Sequence, residues 1–191
     1  MENTTVNTKQ GYFINVINSI IEQKKDINYI CSNGATLLHN AVLFSDYKII
    51  EEMLKYGADA NKKDLQGKNI PLHLAIDLQL DNISNLLIDY TTDINSQDSA
   101  NFTAFHFAAK MNNTSIMKKL LKNNADYSIL KDENGNLPIH YVVSNNNIEI
   151  LKLIVNKKDI YVKNYNGKNA INIAILLNHK EAFSIILESY S

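Results

Sequence analysis

The stretch that decides the fold runs from Gly34 to Asn61. It reads G-A-T-L-L-H-N-A over residues 34–41, then a gap, then I-I-E-E-M-L-K-Y-G-A-D-A-N over residues 49–61. The chain writes this phrase several times. His39, His73, His106 and His140 stand 34, 33 and 34 residues apart, and Asn172 falls 32 further on. A second series, Asp26, Asp59, Asp93, Asp126 and Asp159, is spaced 33, 34, 33 and 33. A fixed period of this length, held in phase by several residue types, marks a repeat architecture in which each unit buries its apolar face only against its neighbours.

Working outward, the phrase divides the chain into a polar tail and capping helix over residues 1–30 and five units, at 31–63, 64–97, 98–131, 132–163 and 164–191. Each unit opens on a turn. Gly34, Gly67, Asn101, Gly135 and Gly167 hold the position that needs a left-handed backbone, and unit two then carries one extra residue before its histidine. Thr36 and Thr103 stand where a helix N-cap oxygen is required, whereas Leu137 replaces that threonine in unit four. Both prolines of the chain, Pro71 and Pro138, fall at a first helical position, where a missing N–H has no partner to lose. The second helix of each unit follows an apolar period of 3.6: Ile49, Ile50, Met53, Leu54; Ile83, Leu87, Ile88; Ile116, Met117, Leu120, Leu121. Val16, Ile17, Ile20 and Ile21 repeat that spacing before unit one and predict the capping helix. Gly57 closes the second helix of unit one.

Composition narrows the function. The 191 residues are 45% hydrophobic with a formal net charge of −1. All 19 basic residues are lysine. A near-neutral chain without arginine lacks the usual field and the usual bidentate donor for nucleic acid. The single cysteine, Cys31, excludes an internal disulfide or a cysteine cluster for zinc. The first ten residues are polar and do not read as a secretory signal. No window approaches the roughly 18 apolar residues of a membrane span. The expected setting is cytoplasmic, with the Asn, Lys and Ile bias pointing to an AT-rich genome.

The repeated phrase resembles the ankyrin repeat, whose pattern is D-x-x-G-x-T-P-L-H-x-A-A, a helix of apolar pairs, and G-A-D-x-N. The matching residues are G-A-T-L-L-H-N-A, N-I-P-L-H-L-A, F-T-A-F-H-F-A-A and N-L-P-I-H-Y-V-V, with G-K-N-A-I-N-I-A as a weaker fifth copy. The resemblance covers residues 12–191. It implies an all-α repeat solenoid of helix–turn–helix units joined by β-hairpin fingers, with a concave surface made of fingers and first helices. It also implies a monomeric protein–protein interaction module with a protein partner, no enzymatic activity, no cofactor, no nucleic acid and no membrane. Together with the composition it suggests a host-modulating factor in a host-cell cytosol. The alternatives are a decoy masking a signalling protein, or the substrate-recruiting part of a ubiquitin-ligase adaptor whose C-terminal segment is absent.

Chemistry is a poor account of the polar residues that recur from unit to unit. One histidine per unit makes a ladder with rungs about 10 Å apart, the spacing of packed helices, which is too far for a shared metal ion. Each imidazole is expected to bond backbone and tie adjacent units. The aspartates read as turn formers. His179 reads as a solvated helix residue. No phosphate loop, nucleophile elbow or H-E-x-x-H helix is written here. Function is therefore expected on the surface. Finger and concave positions place Leu43, Phe44, Leu65, Leu78, Phe102 and Met111 where water would otherwise be, with Lys68, Asp77 and Lys110 at the rim. Aromatic and methionine anchors typify interface centres. The resemblance further marks Asn61, in L-K-Y-G-A-D-A-N, as a candidate for asparagine hydroxylation.

Overall fold

The computed structural model describes residues 11, 15, 17–20, 22–23, 25–128, 130–156 and 158–189. The polar tail, Val16 and Ile21 lie outside the described residues. Among the described residues, five helix pairs follow the helical residues 17–20. The first helices are α1 (Leu37–Phe44), α3 (Pro71–Asp77), α5 (Ala104–Lys110), α7 (Pro138–Ser144) and α9 (Ala170–Leu176). The second helices are α2 (Tyr47–Lys55), α4 (Asp81–Tyr90), α6 (Thr114–Lys122), α8 (Ile148–Ile154) and α10 (Lys180–Glu188). A short 3-10 turn, Asp159–Tyr161, links α8 to the last unit. First helices pack on first helices of the next unit and second helices on second helices, so the stack grows in one direction.

The helices start where local chemistry dictates. The Thr36 hydroxyl accepts the His39 N–H and the Thr103 hydroxyl accepts the His106 N–H. Asp46, Asn113 and Asn147 cap α2, α6 and α8 through N–H groups of Ile49, Ile116 and Ile150. α3 and α7 lack a side-chain cap and carry proline in the first turn instead. The apolar stripes point inward. Leu38, Ala41, Val42, Ile50, Met53, Leu87, Ile116, Met117 and Leu120 are all buried, as are Ile17 and Ile20 before unit one. They join one continuous core that runs the length of the stack, and burying side chains of this size is the main favourable term for folding.

The fingers are turns rather than ladders. The Asp64 N–H bonds Asn69, Asp98 bonds Phe102, Asp132 bonds Asn136 and Asn164 bonds Lys168, and in the last three the carbonyl of the same residue also accepts the N–H of Asn101, Gly135 or Gly167. The Asp98 and Asp132 carboxylates each accept two further N–H groups inside their own turn. Neighbouring fingers then bond backbone to backbone, Leu65 N–H to Gly34 O, Ser99 to Gly67, Glu133 to Ala100 and Tyr165 to Asn134.

Unit two corrects the expected register. The residue with a left-handed backbone there is Lys68, with φ 54°, and not Gly67. Gly34, Asn101, Gly135 and Gly167 hold the same position in the other units. Counted from Lys68, the step to His73 is five residues, as from Gly34 to His39. The first helix of unit two is therefore in register. The glycine stands one place early because the turn needs its neighbour, not itself, at positive φ.

Candidate functional site

The histidine ladder is structural in three of its four rungs. His39 Nε2 bonds the Asn69 carbonyl of the next unit at 2.9 Å, His106 Nε2 the Asn136 carbonyl at 3.2 Å, and His140 Nε2 the Val162 carbonyl at 3.0 Å. The opposite ring nitrogen accepts locally. His140 Nδ1 takes the Leu137 N–H at 3.0 Å, and the Thr36 hydroxyl sits 2.7 Å from His39 Nδ1. The pattern fixes a neutral ring with its proton on Nε2. Burial holds all three below the usual histidine range, only partly opposed by the carbonyls that accept from Nε2. Among the described residues, no group of three or more His, Cys, Asp or Glu could hold a metal ion.

His73 departs from the ladder. It is fully buried, and neither ring nitrogen has a hydrogen-bond partner. The Ser96 backbone is near enough to favour the charged ring slightly but not placed to bond it, and burial pushes the pKa down to about 3. The ring stacks instead on Phe107 at 5.3 Å, and Phe107 meets Phe102 at 5.3 Å. This row extends to Tyr141, 6.1 Å from Phe102. The Tyr141 hydroxyl donates to buried Asp132 at 2.6 Å, and burial followed by that contact raises its pKa.

A second ladder, of asparagines, ties the opposite edge. Asn28 accepts the Asp59 N–H, Asn61 accepts the Thr92 and Asp93 N–H groups, and Asn95 accepts the Asp126 N–H, all at 2.8–2.9 Å. Asp26, Asp59 and Asp126 each accept the N–H two residues on, as turn formers do. Asn61 is thus committed to the next unit, with its amide also donating to Asp59. His179 is not solvated as expected. It stands at the N-cap position of α10 without a side-chain cap bond, and its Nδ1 lies 2.9 Å from the Val143 carbonyl of the preceding unit.

The face shared by fingers and first helices carries the expected contact residues unevenly. Leu43 is 54% exposed in the last turn of α1, Leu78 is 43% exposed just past the end of α3, and Leu65 is 72% exposed on its finger. Phe44 and Met111 are half-buried, with the Gln79 amide 3.9 Å from the Met111 sulfur. Lys68, Asp77 and Lys110 are exposed. Phe102 is the correction. It is 7% exposed, drawn under the finger into the aromatic row, and Lys110 Nζ covers its ring at 5.3 Å. A cavity of about 310 Å³ lies further along this face, between Tyr141, Ser144 and Lys168 on one side and Ile173, Leu176 and Leu177 on the other. Sequence reasoning concentrated on units one to three and missed it. The available signal was Leu176-Leu177, which falls at the positions of Leu43-Phe44.

The family model for ankyrin repeats matches three overlapping stretches, residues 6–98, 68–129 and 105–191. The chain belongs to the ankyrin-repeat family. Among its relatives, an ankyrin repeat protein of fowlpox virus is 32% identical over 144 residues, covering 74% of this chain and 99% of that protein. An ankyrin repeat protein of Acanthamoeba polyphaga mimivirus is 28% identical over 165 residues, covering 86% of this chain and 21% of that protein. A palmitoyltransferase of Lachancea kluyveri is 31% identical over 176 residues, covering 86% of this chain and 23% of that protein. The chain therefore spans under a quarter of the length of the mimivirus and Lachancea relatives. Ankyrin repeats are protein–protein interaction modules, and here His39 and His106 are spent on joining units while the aspartates shape their own turns. Among the described residues, no helix is long and apolar enough to cross a membrane.

Proposed function

We propose that this chain is a non-catalytic binding module that seats a partner protein against the face made by its fingers and first helices, as a host-modulating factor in the cytosol of a host cell. The observation that carries the reading is the pair Leu43 and Leu78. They are exposed leucines of neighbouring units, Leu43 in the last turn of α1 and Leu78 just past the end of α3. Phe44 and Met111 flank them as half-buried anchors, and apolar side chains contiguous on an exposed face signify contact. Lys68, Asp77 and Lys110 form a mixed-charge rim suited to partner choice rather than to affinity. The relatives in mimivirus and fowlpox virus support the host-directed setting.

The test is affinity capture from host-type cell lysate with wild type beside a Leu43→Glu, Leu78→Glu variant. Both positions are solvent-facing, so the variant keeps its fold by circular dichroism. Loss of a captured protein in the variant supports the reading, and an unchanged set of captured proteins contradicts it. Under the same reading, hydroxylation of Asn61 requires the unit one–two junction to open first, because its side-chain oxygen is held by Thr92 and Asp93. A mass gain of one oxygen on intact folded protein after incubation with an asparagine hydroxylase supports that modification, and no gain argues against it.

A further inference from the structure

The junctions between units are held unequally. His39 reaches the Asn69 carbonyl of unit two at 2.9 Å, and His106 the Asn136 carbonyl of unit four at 3.2 Å. Asn145, just past α7, adds a bond from its amide to the Ala109 carbonyl of unit three at 2.8 Å. Between units four and five, His179 Nδ1 lies 2.9 Å from the Val143 carbonyl of α7. Between units two and three the matching bonds are missing. Among the described residues, no hydrogen bond joins α3 to α5. His73 holds the rung position with both nitrogens unbonded, and the Phe107 ring stacks on it at 5.3 Å. Past the ends of these two helices the Gln79 amide stands 3.9 Å from the Met111 sulfur, a weak acceptor.

The second helices of the same two units are tied directly. The Asn113 amide donates to Asp81 at 2.6 Å, and Lys119 Nζ donates to the Asn85 carbonyl at 2.7 Å and to Asp89 at 2.9 Å. Beyond them, Asn95 accepts the Asp126 N–H at 2.8 Å. The two layers therefore resist separation differently. Hydrogen bonds weaken steeply when they are stretched or bent, whereas apolar attraction is non-directional and survives small displacements. Parting α3 from α5 also returns water to the His73 nitrogens, which the closed stack leaves without a partner. The nitrogens of His39 and His106 are bonded already and gain nothing comparable. Ser99 is exposed, so its finger bond to Gly67 passes to water as the fingers part.

We infer that the stack opens between units two and three, with α4 and α6 as the hinge and α3 and α5 as the parting layers. Local opening draws on the least stable contacts of a fold. Admitting water to His73 separates the first helices by one water diameter, about 3 Å. Leu78 and Met111 stand on opposite sides of the gap, just past α3 and α5, so opening changes the width of the finger-and-helix face. The hinge belongs to the chain by itself and does not require a partner on that face.

Dipolar broadening between paired nitroxide labels in frozen solution tests this, with each label on a cysteine introduced into a Cys31→Ser background. Leu43, Asp77, Lys110 and Ser144 are exposed and stand at matched positions, seven residues on from each first-helix N-cap. Neighbouring helices lie about 10 Å apart, within reach of the method. Pairs at 43/77, 77/110 and 110/144 read the first-helix side of three junctions. A pair at exposed Asn82 and Ser115, on α4 and α6, reads the hinge. The 77/110 pair should show a second population about 3 Å longer, and the other three pairs one narrow population each. Loss of the Lys110 cation from the Phe102 ring is shared by 77/110 and 110/144, so it cannot produce the difference. His73→Leu should shrink the longer population about fivefold, because no unsatisfied nitrogen is left to regain water. A single narrow population at 77/110 overturns the inference. So do equal widths at all three first-helix pairs, lengthening of 82/115 together with 77/110, or a longer population that His73→Leu leaves unchanged.

Discussion

Replacing His73 by leucine should remove much of the protein's sensitivity to acid while costing little at neutral pH. The imidazole is fully buried, neither nitrogen is bonded, and its pKa stands at about 3 against an ordinary 6.5. A histidine whose folded pKa is depressed must stay neutral in the fold and charges in the unfolded chain. Its contribution is therefore constant above the unfolded value near 6.5 and is lost as pH falls below it, down to the folded value near 3. At pH 4.5 the loss from His73 alone is about 2.5 kcal/mol, from roughly 1.4 kcal/mol per unit of pKa difference. His39, His106 and His140 shift in the same direction and add to it. The raised carboxyl of Asp159 opposes them, since it is relieved by protonation. Urea unfolding followed by circular dichroism at pH 7 and 4.5 measures the effect. Wild type should lose stability steeply between the two. His73→Leu should be neutral or slightly stabilising at pH 7, because it removes two unsatisfied buried nitrogens, and should lose about 2.5 kcal/mol less on acidification. A His73→Leu profile parallel to wild type would show that this ring is hydrated or bonded in solution, and would refute the reasoning.

The remaining predictions use the same assay at neutral pH. Lys68→Gly should stabilise by about 1 kcal/mol, because a lysine now holds a φ of 54° that glycine adopts freely; no gain, or a loss, would mean that the turn tolerates the side chain. Gly135→Ala should destabilise by at least about 1 kcal/mol, from its φ of 75° and from a Cβ that would stand 2.7 Å from the Tyr165 ring. Asn61→Ala should lose about 0.5–1.5 kcal/mol, because the Thr92 and Asp93 N–H groups exchange their acceptor for water at an exposed edge. Phe102→Ala should lose about 3 kcal/mol if the residue belongs to the aromatic row rather than to the open surface, whereas a loss below about 0.5 kcal/mol would return it to the surface.

Much of this was legible from residue spacing alone. The histidine and aspartate periods located the units, and threonine and proline positions located the first helices, because these features act within one unit and need no distant partner. What spacing could not show depends on contacts across units. Gly67 looked like the turn glycine, but which residue of a turn takes positive φ is set by where the next helix starts. Phe102 sat at a finger position normally open to water. Phe107 and Tyr141, from its own helix and the next unit's, drew it inward. His73 looked like the other three histidines until the carbonyl it needed failed to arrive in range. The cavity lined by Leu176 and Leu177 required knowing that unit five still carries a finger opposite its first helix.

The claim most worth testing directly is that the finger-and-helix face is the one that meets a partner. A photo-reactive residue can be placed at Leu78 on that face, and in separate preparations at Lys48 and Lys152 on the exposed side of the second helices. Each preparation is then irradiated in host-type lysate. The account predicts a discrete crosslinked adduct from position 78 and none from 48 or 152. Adducts from 48 or 152 with none from 78 would contradict it.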